Sequence, residues 1–460
     1  MKAQTRNRQP GVAPARAAAF DILLRVELES SYASELLHSA TYEQLSPADH
    51  ALATELVLGV LRWRSLLDSQ VAAASSQPLA ELDLEVAIAL RLGLYQLNWL
   101  TRVPARAAIY ESVELVKRAR KRSAARFVNA VLRKLAKTAF PEKDLPEETD
   151  ASVENIAHAF AHPQWLVERW AREYGTVTAR GICGYDQRIP TTAIRLRHPD
   201  AEKELKSEGI ELKPGRLLVS AREVERGDVT KTRAFRAGLC VIQDEASQLV
   251  AALASGGTRV LDCCAAPGGK TLAMADRSPN ASITAVELHP HRARLLRKLL
   301  RAAGANASQP SISVLTADAR DLPFDGSFDR VLTDVPCSGT GTLARHPEIK
   351  WRLKPEDLID LQERQLAILR SAMAPVAPGG RLIYSTCSLE KEENEDVAER
   401  ALSSESTFRL LDCRALLDGL RVEEELIWND PGSLIRGPYL RTLPGIHPCD
   451  GFFAAILEKV

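Results

Sequence analysis

Two cysteines are set apart by their neighbours. Cys337 lies in Asp334-Val335-Pro336-Cys337-Ser338-Gly339-Thr340-Gly341, and Cys387 lies in Ser385-Thr386-Cys387-Ser388. A free cysteine is most often a small buried apolar side chain, and that reading suffices for Cys183, Cys240, Cys413 and Cys449. Cys337 and Cys387 instead end the apolar, strand-like runs DRVLTDV and RLIYSTC, among Pro, Ser, Thr and Gly. A thiol at such a strand end becomes a nucleophile once its thiolate is stabilised. Asp334 closes the first run and adds an acid.

A second group lies upstream. Asp262-Cys263-Cys264-Ala265-Ala266-Pro267-Gly268-Gly269-Lys270-Thr271 follows the apparent strand TRVLD. Its small residues and paired glycines let backbone approach a ligand closely, and the following helix points N–H groups at it. Cys263 reads as packing. Glu287 closes the next strand, SITAVEL, 18 residues after Gly269, the spacing at which an acid meets a ribose hydroxyl. Asp318 closes a third strand, ISVLTAD, where an adenine amino group would lie. Three strand ends in register indicate an adenosine-bearing cofactor. The absence of GxGxxG disfavours a nicotinamide dinucleotide, and with it an oxidoreductase.

Two thiols and an aspartate beside such a cofactor suit methylation of cytosine at carbon 5. A thiolate adding at carbon 6 makes the ring an enamine that attacks an electrophilic methyl group. An acid near the ring nitrogen favours the addition, and a base then removes the carbon-5 proton so that the thiol leaves. These residues alone do not decide which cysteine attacks.

The elements that position these groups follow from pattern. From Ala237 onward strands and helices alternate, with helices at Lys270–Asp276, His291–Ala303, Glu356–Met373 and Glu392–Leu402. Such alternation implies an α/β, mostly parallel sheet covered on both faces, with ligands beyond its carboxyl ends. Residues 15–137 carry apolar stripes at helical spacing, such as Leu52, Leu56, Val60 and Trp63, and predict an all-α domain. Within it, Lys117–Lys137 holds nine Lys/Arg and no acid. Uncompensated cations at that density fit a polyanion, and nucleic-acid contact is expected there. Residues 141–152 are acidic, contain two prolines and read as a linker. Residues 153–236 mix a helix (Ile156 to Tyr174), the strand TTAIRLR and a Lys/Glu-rich helix near Ala201, and read as a small α/β module.

Length and composition bound the rest. The 460 residues carry 60 Lys+Arg and 60 Asp+Glu, so any basic surface is a local excess. The basic first residues lead into no apolar segment, and no run is long enough to span a membrane. A cytoplasmic protein with free thiols is expected. The eight cysteines show neither a disulfide scaffold nor zinc-site pairing.

The blocks DCCAAPGGKT, DVPCSGTGTLARHPEIKW and STCSLEKEENEDV closely resemble the Sun/NOP2-type RNA cytosine-5 methyltransferases. VIQDEASQLV and DGFFAAILEK resemble that family's flanking signatures. LVLGVLRWRSLLD and RFVNAVLRKL resemble the NusB-type RNA-binding domain carried by bacterial small-subunit rRNA members, the Sun/RsmB type. The resemblance implies three parts: a NusB-like helical domain over 1–140, a small α/β RNA-binding module over 153–236, and a Rossmann-like class I methyltransferase domain over 237–460. It implies S-adenosylmethionine as cofactor and 16S rRNA as partner, naked or in an early small-subunit particle. tRNA or 23S rRNA is the alternative substrate, and a monomer without metal is expected. By the same resemblance Cys387 is the nucleophile and Cys337 assists product release. Asp334 holds the cytosine and the methyl-donor end. Cys264, Ala265, Ala266, Pro267, Gly268, Gly269 and Lys270 wrap the cofactor, Glu287 takes its ribose and Asp318 its adenine. Arg292 supports that loop. Two positions depart from the family pattern: Glu287 stands where many members have Asp, and Arg197 where the family has Asn. An RNA-binding module with a dead core would have lost Cys387, Asp334 or the glycine loop; all are present.

Overall fold

The computed structural model describes residues 11–29, 31–42, 44–138, 152–303 and 311–460. The first ten residues and nearly all of the acidic stretch read as a linker lie outside these. The chain forms two compact units. One comprises residues up to Arg188 together with Leu343–Arg352, and the other comprises Ile189–Thr342 with Leu353–Val460.

The first unit is helical. Its central helix, Leu84–Trp99, is apolar on nearly every face and is buried from Val86 to Gln96. A helix of that kind must be surrounded, and Pro14–Glu29, Pro47–Arg62, Arg64–Ala74, Ala105–Arg118 and Ala125–Leu135 pack against it. Leu56, Val60, Ile88, Leu92, Val128 and Leu132 meet in one core. Three further helices, Val153–Ala159, Gln164–Tyr174 and Thr176–Asp186, complete the unit. The run read as one helix from Ile156 to Tyr174 is therefore two. His162-Pro163 parts them, because proline's ring disfavours helical backbone in the residue before it. The unit boundary at Arg188 also falls inside the stretch read as one α/β module.

Residues Leu343–Arg352, LARHPEIKWR, belong to this helical unit although they follow the Pro-Cys segment in sequence. Ala33 N–H donates to Glu348 (2.9 Å), Lys350 Nζ to the Arg62 carbonyl (2.9 Å) and Trp351 Nε1 to the Leu61 carbonyl (2.5 Å). Lys350 is fully buried, and burial pushes its ammonium down to about 7 against the pull of Asp186.

In the second unit a small antiparallel sheet comes first. It has the order β2-β3-β1-β4, with β1 Thr192–Leu196, β2 Glu211–Pro214, β3 Ala221–Arg226 and β4 Cys240–Ile242. Ile194, Leu205, Ile210, Val229 and Cys240 form its core. The large sheet contains β5 (Arg259–Asp262), β6 (Ser282–Glu287), β7 (Ser311–Thr316), β8 (Phe328–Asp334) and β9 (Val376–Thr386). It also contains β10 (Phe408–Leu411), β11 (Ile435–Arg436), β12 (Tyr439–Thr442) and β13 (Phe452–Lys459). Its order is β11-β12-β13-β9-β8-β5-β6-β7, with β10 also on β13. The five strands β7-β6-β5-β8-β9 run parallel and β13 lies antiparallel beside β9. Strand order reverses between β5 and β8, which opens a crevice at their carboxyl ends.

A lysine whose folded-state pKa is depressed disfavours folding most where it must be charged, below about pH 7. That penalty fades as pH rises from there toward its unfolded value of 10.5. Chemical denaturation of the full chain should therefore show stability gained between about pH 7 and 10.5. Lys350→Met should flatten that gain; an unchanged slope would show that Lys350 is not the titrating group.

Candidate active site

Parallel pairing of β8 with β9 brings the two thiols together. The register sets Asp334 opposite Ser385, so Cys337 and Cys387 follow their strands at the same edge. Their sulfur atoms lie 3.3 Å apart. The segment after Cys337 is tied to the far strand: Gly341 N–H donates to the Cys387 carbonyl (2.9 Å), and Gly451 N–H donates to the Gly341 carbonyl (2.8 Å). A Cβ on Gly341 would lie 2.2 Å from the Gly451 oxygen, so only glycine permits this approach.

Asp334 is held from both sides. Ser385 Oγ donates to Oδ1 at 2.8 Å and Lys270 Nζ lies 2.7 Å from Oδ2. The same ammonium sits 4.8 Å from the Phe452 ring centre. Burial opposes the charge on Lys270, but Asp334 and Cys387 outweigh it, and its pKa lies above the ordinary value. The Cys337 thiol is pushed well up, first by its bond to Cys387 and then by burial, with Glu393 and Asp334 adding to the effect.

The other half of the site gathers carboxylates. Asp262 at the end of β5 is buried, accepts the Thr271 hydroxyl (2.6 Å), and is raised by burial to about 6. Glu287 at the end of β6 is almost buried and accepts His289 N–H at 2.9 Å. Burial and then Asp262, Asp334 and Glu287 push up the thiol of Cys264. Acids on three strand ends suit a ligand that carries positive charge and hydroxyls. A sulfonium and an ammonium joined to a ribose match that donor set, so the residues present fit S-adenosylmethionine. Between β5 and the helix Gly269–Arg277, Gly268 turns the chain with φ +115°, and a Cβ there would lie 2.6 Å from Leu296.

The structure therefore groups Cys387, Cys337, Asp334 and Lys270, and beside them Asp262, Cys264 and Glu287. Lys270 was expected with the cofactor loop; its ammonium is committed to Asp334. Asp318 lies two residues beyond β7, and Arg320 engages both of its oxygens (Nε at 3.0 Å and 3.1 Å, Nη2 at 2.6 Å). These bonds hold its carboxyl below the usual range. Arg292 is exposed and reaches the Ala266 carbonyl at 3.5 Å. Cys263 is buried in the core, as packing requires. Arg197 is a framework residue: it joins Arg195 on Asp276 (2.7 Å and 2.6 Å) and donates to the Gly238 carbonyl (2.6 Å). Sequence reasoning missed Ser385, Glu393 and Phe452. The serine beside Thr386-Cys387 and the acids of KEEN were visible, but only the fold shows where they point.

A parallel core that reverses strand order at β5/β8, with acids on successive strand ends, is a doubly wound α/β fold with its ligand crevice at the switch point. Residues 250–458 match the 16S rRNA methyltransferase RsmB/F family, and residues 13–137 match the NusB family. The chain is 34% identical over 459 residues to the probable ribosomal RNA small subunit methyltransferase B of Bacillus subtilis, covering 96% of this chain and 98% of that protein. Identity to ribosomal RNA small subunit methyltransferase B of Vibrio cholerae is 31% over 456 residues, with 96% and 97% covered. The solved structure of PH0851 shares the fold, with a TM-score of 0.76 at 23% identity over 97% of this chain and 98% of that one. The chain belongs to the RsmB/F methyltransferase family.

Gly268→Ala should cost about 1–3 kcal/mol of stability, from the left-handed backbone and the contact with Leu296. Urea unfolding measures it, and a change under about 0.5 kcal/mol would mean the turn relaxes freely.

Proposed function

We propose that the chain transfers a methyl group from S-adenosylmethionine to carbon 5 of a cytosine in 16S rRNA, through a covalent bond between Cys387 and carbon 6. The observation that carries this reading is the pair of thiols 3.3 Å apart, beside an aspartate fixed by Lys270 and Ser385. S-adenosylmethionine supplies the methyl group on its sulfonium. Asp262 and Glu287 hold that cofactor, Glu287 through the ribose and Asp262 through charge. Lys270 fixes the carboxylate of Asp334 beside the thiols. Asp334 faces the nitrogen edge of the base and assists addition. After methylation the carbon-5 proton leaves to a base, the carbon 6–sulfur bond breaks, and the thiolate of Cys387 is restored. Cys337 assists this release.

The RNA reading draws on the helical unit. Of the nine cations in Lys117–Lys137, Lys117 pairs with Glu114, Arg118 with Asp21 and Lys121 with Asp83. Arg120, Arg122, Arg126, Arg133, Lys134 and Lys137 are exposed and have no acidic partner among the described residues. Arg133, Lys134 and Lys137 line a cavity of about 610 Å³ with apolar walls at Leu94 and Leu135. Cations over an apolar floor suit phosphates and a base together. A cytosine in a loop or single strand is the target, because the base must leave its stack. The small-subunit names of the relatives favour 16S rRNA over tRNA or 23S rRNA.

Labelled S-adenosylmethionine offered with unmodified 16S rRNA, 23S rRNA and tRNA should label one cytosine of 16S rRNA. Label on tRNA or 23S rRNA would overturn the substrate and keep the chemistry. Cys387→Ala should abolish transfer while cofactor affinity stays within about threefold. Cys337→Ala should accumulate a covalent RNA adduct, seen as a slow band on a denaturing gel. An active Cys387→Ala together with no adduct from Cys337→Ala would refute the assignment of the thiols.

A further inference from the structure

Each catalytic cysteine is followed by a serine, and both serines converge on one carboxylate. Glu393 sits fully buried in the short turn Lys391–Glu393 after β9. Its Oε1 accepts the backbone N–H of Ser338 (2.8 Å) and Gln365 Nε2 (2.8 Å). Its Oε2 accepts the hydroxyl of Ser388 (2.5 Å) and that of Ser338. The two hydroxyl oxygens lie 3.0 Å from one another. Gln365, itself fully buried, also donates to the Pro336 carbonyl at 3.0 Å. Two N–H groups on one oxygen and two hydroxyls on the other fill the acceptor sites of both carboxyl oxygens. No Lys or Arg forms an ion pair with Glu393 among the described residues. Hydrogen bonds alone therefore compensate its burial, an arrangement that tolerates little displacement.

The four donors come from the Pro336–Ser338 loop, the Cys387–Ser388 loop and the helix Asp357–Met373. Parallel pairing of β8 and β9 sets the strand ends, but both cysteines lie beyond the last paired residues, Asp334 and Ser385. Past that point the strand ladder no longer fixes spacing. We propose that Glu393 is a positioning residue for methyl transfer, holding the serine after each cysteine so that Cys337 and Cys387 stay in register. The proposal rests on the reading of these thiols as the reacting groups. The negative charge of Glu393 also counts among the causes that keep the proton on Cys337, after the bond to Cys387 and burial. Asp334 acts in the same direction, and Lys270 on the other side answers Asp334 and Cys387.

The experiment compares Glu393→Ala, Glu393→Gln and the double variant Ser338→Ala/Ser388→Ala with Cys387→Ala, all in the full chain. Two readouts are taken. The first is turnover at saturating RNA with separate KM and cofactor affinity. The second is independent of RNA: oxidation by diamide, in which the diazene takes up two hydrogens as the two thiols join. The Cys337–Cys387 disulfide is then quantified by peptide mapping. Glu393→Ala should lower kcat about 100-fold, leave cofactor affinity and RNA KM within about threefold, and slow disulfide formation at least about tenfold. Glu393→Gln keeps the shape and one acceptor, and should recover part of both losses. If Glu393→Ala does not fold, the double serine variant should reproduce the two losses. Wild-type kcat and wild-type disulfide rate in a folded Glu393→Ala would overturn the proposal, as would equal losses of kcat and cofactor affinity. A fully active Cys387→Ala would instead overturn the roles of the thiols, while the diamide rates would still decide whether Glu393 sets their spacing.

Discussion

The site depends on one constraint, the parallel register of β8 and β9. With Asp334 opposite Ser385, an acid, its hydroxyl partner and two thiols reach the same edge without any loop having to travel. A one-residue slip would turn alternate side chains to the opposite face of the sheet and part the cysteines. The buried apolar runs of both strands oppose such a slip, since Leu332 and Ile383 are packed into one core and Val331 and Leu382 into another, and each would have to be repacked. The glycine pair Gly341/Gly451 extends this order into the loops, where two backbones touch.

Charge is distributed along the crevice with equal economy. Asp262, Glu287 and Asp334 sit on three strand ends that bracket the switch point, and Lys270 is the cation that answers the last of them. On the acidic side, burial and these carboxylates together keep the proton on the thiol of Cys264.

Much of this was legible in the residues. Strand-end placement singled out Cys337, Cys387, Asp334, Glu287 and the Gly268 turn, because parallel strands reveal themselves as apolar runs ending in polar residues. The pairing of Lys270 with Asp334 was not legible, since a lysine in a glycine-rich turn reads equally well as a cofactor contact. Glu393 was hidden for a different reason. It stands in the run of acids EKEENED, where composition suggests a solvated face, and only the fold turns Glu390 and Glu393 inward. Arg197 shows the reverse: a cation in a segment resembling an RNA-contacting one is consumed by Asp276. The break at His162-Pro163 is legible as a proline, and the helices Val153–Ala159 and Gln164–Tyr174 stop and start around it.

The assignment of Leu343–Arg352 to the helical unit bears on how the chain can be made. Ala33 waits for Glu348 across 315 positions, and the carbonyls of Leu61 and Arg62 wait for Trp351 and Lys350. At about 5–20 residues per second of synthesis, the first helices emerge on the order of 15–60 s before the segment that completes their packing. During that interval the N-terminal helices keep a seam of unpaired backbone groups open to the cell. The nascent helical unit is thus finished only after the strand bearing Asp334 and the Pro-Cys loop has been synthesised, so the order of assembly is not the order of the sequence.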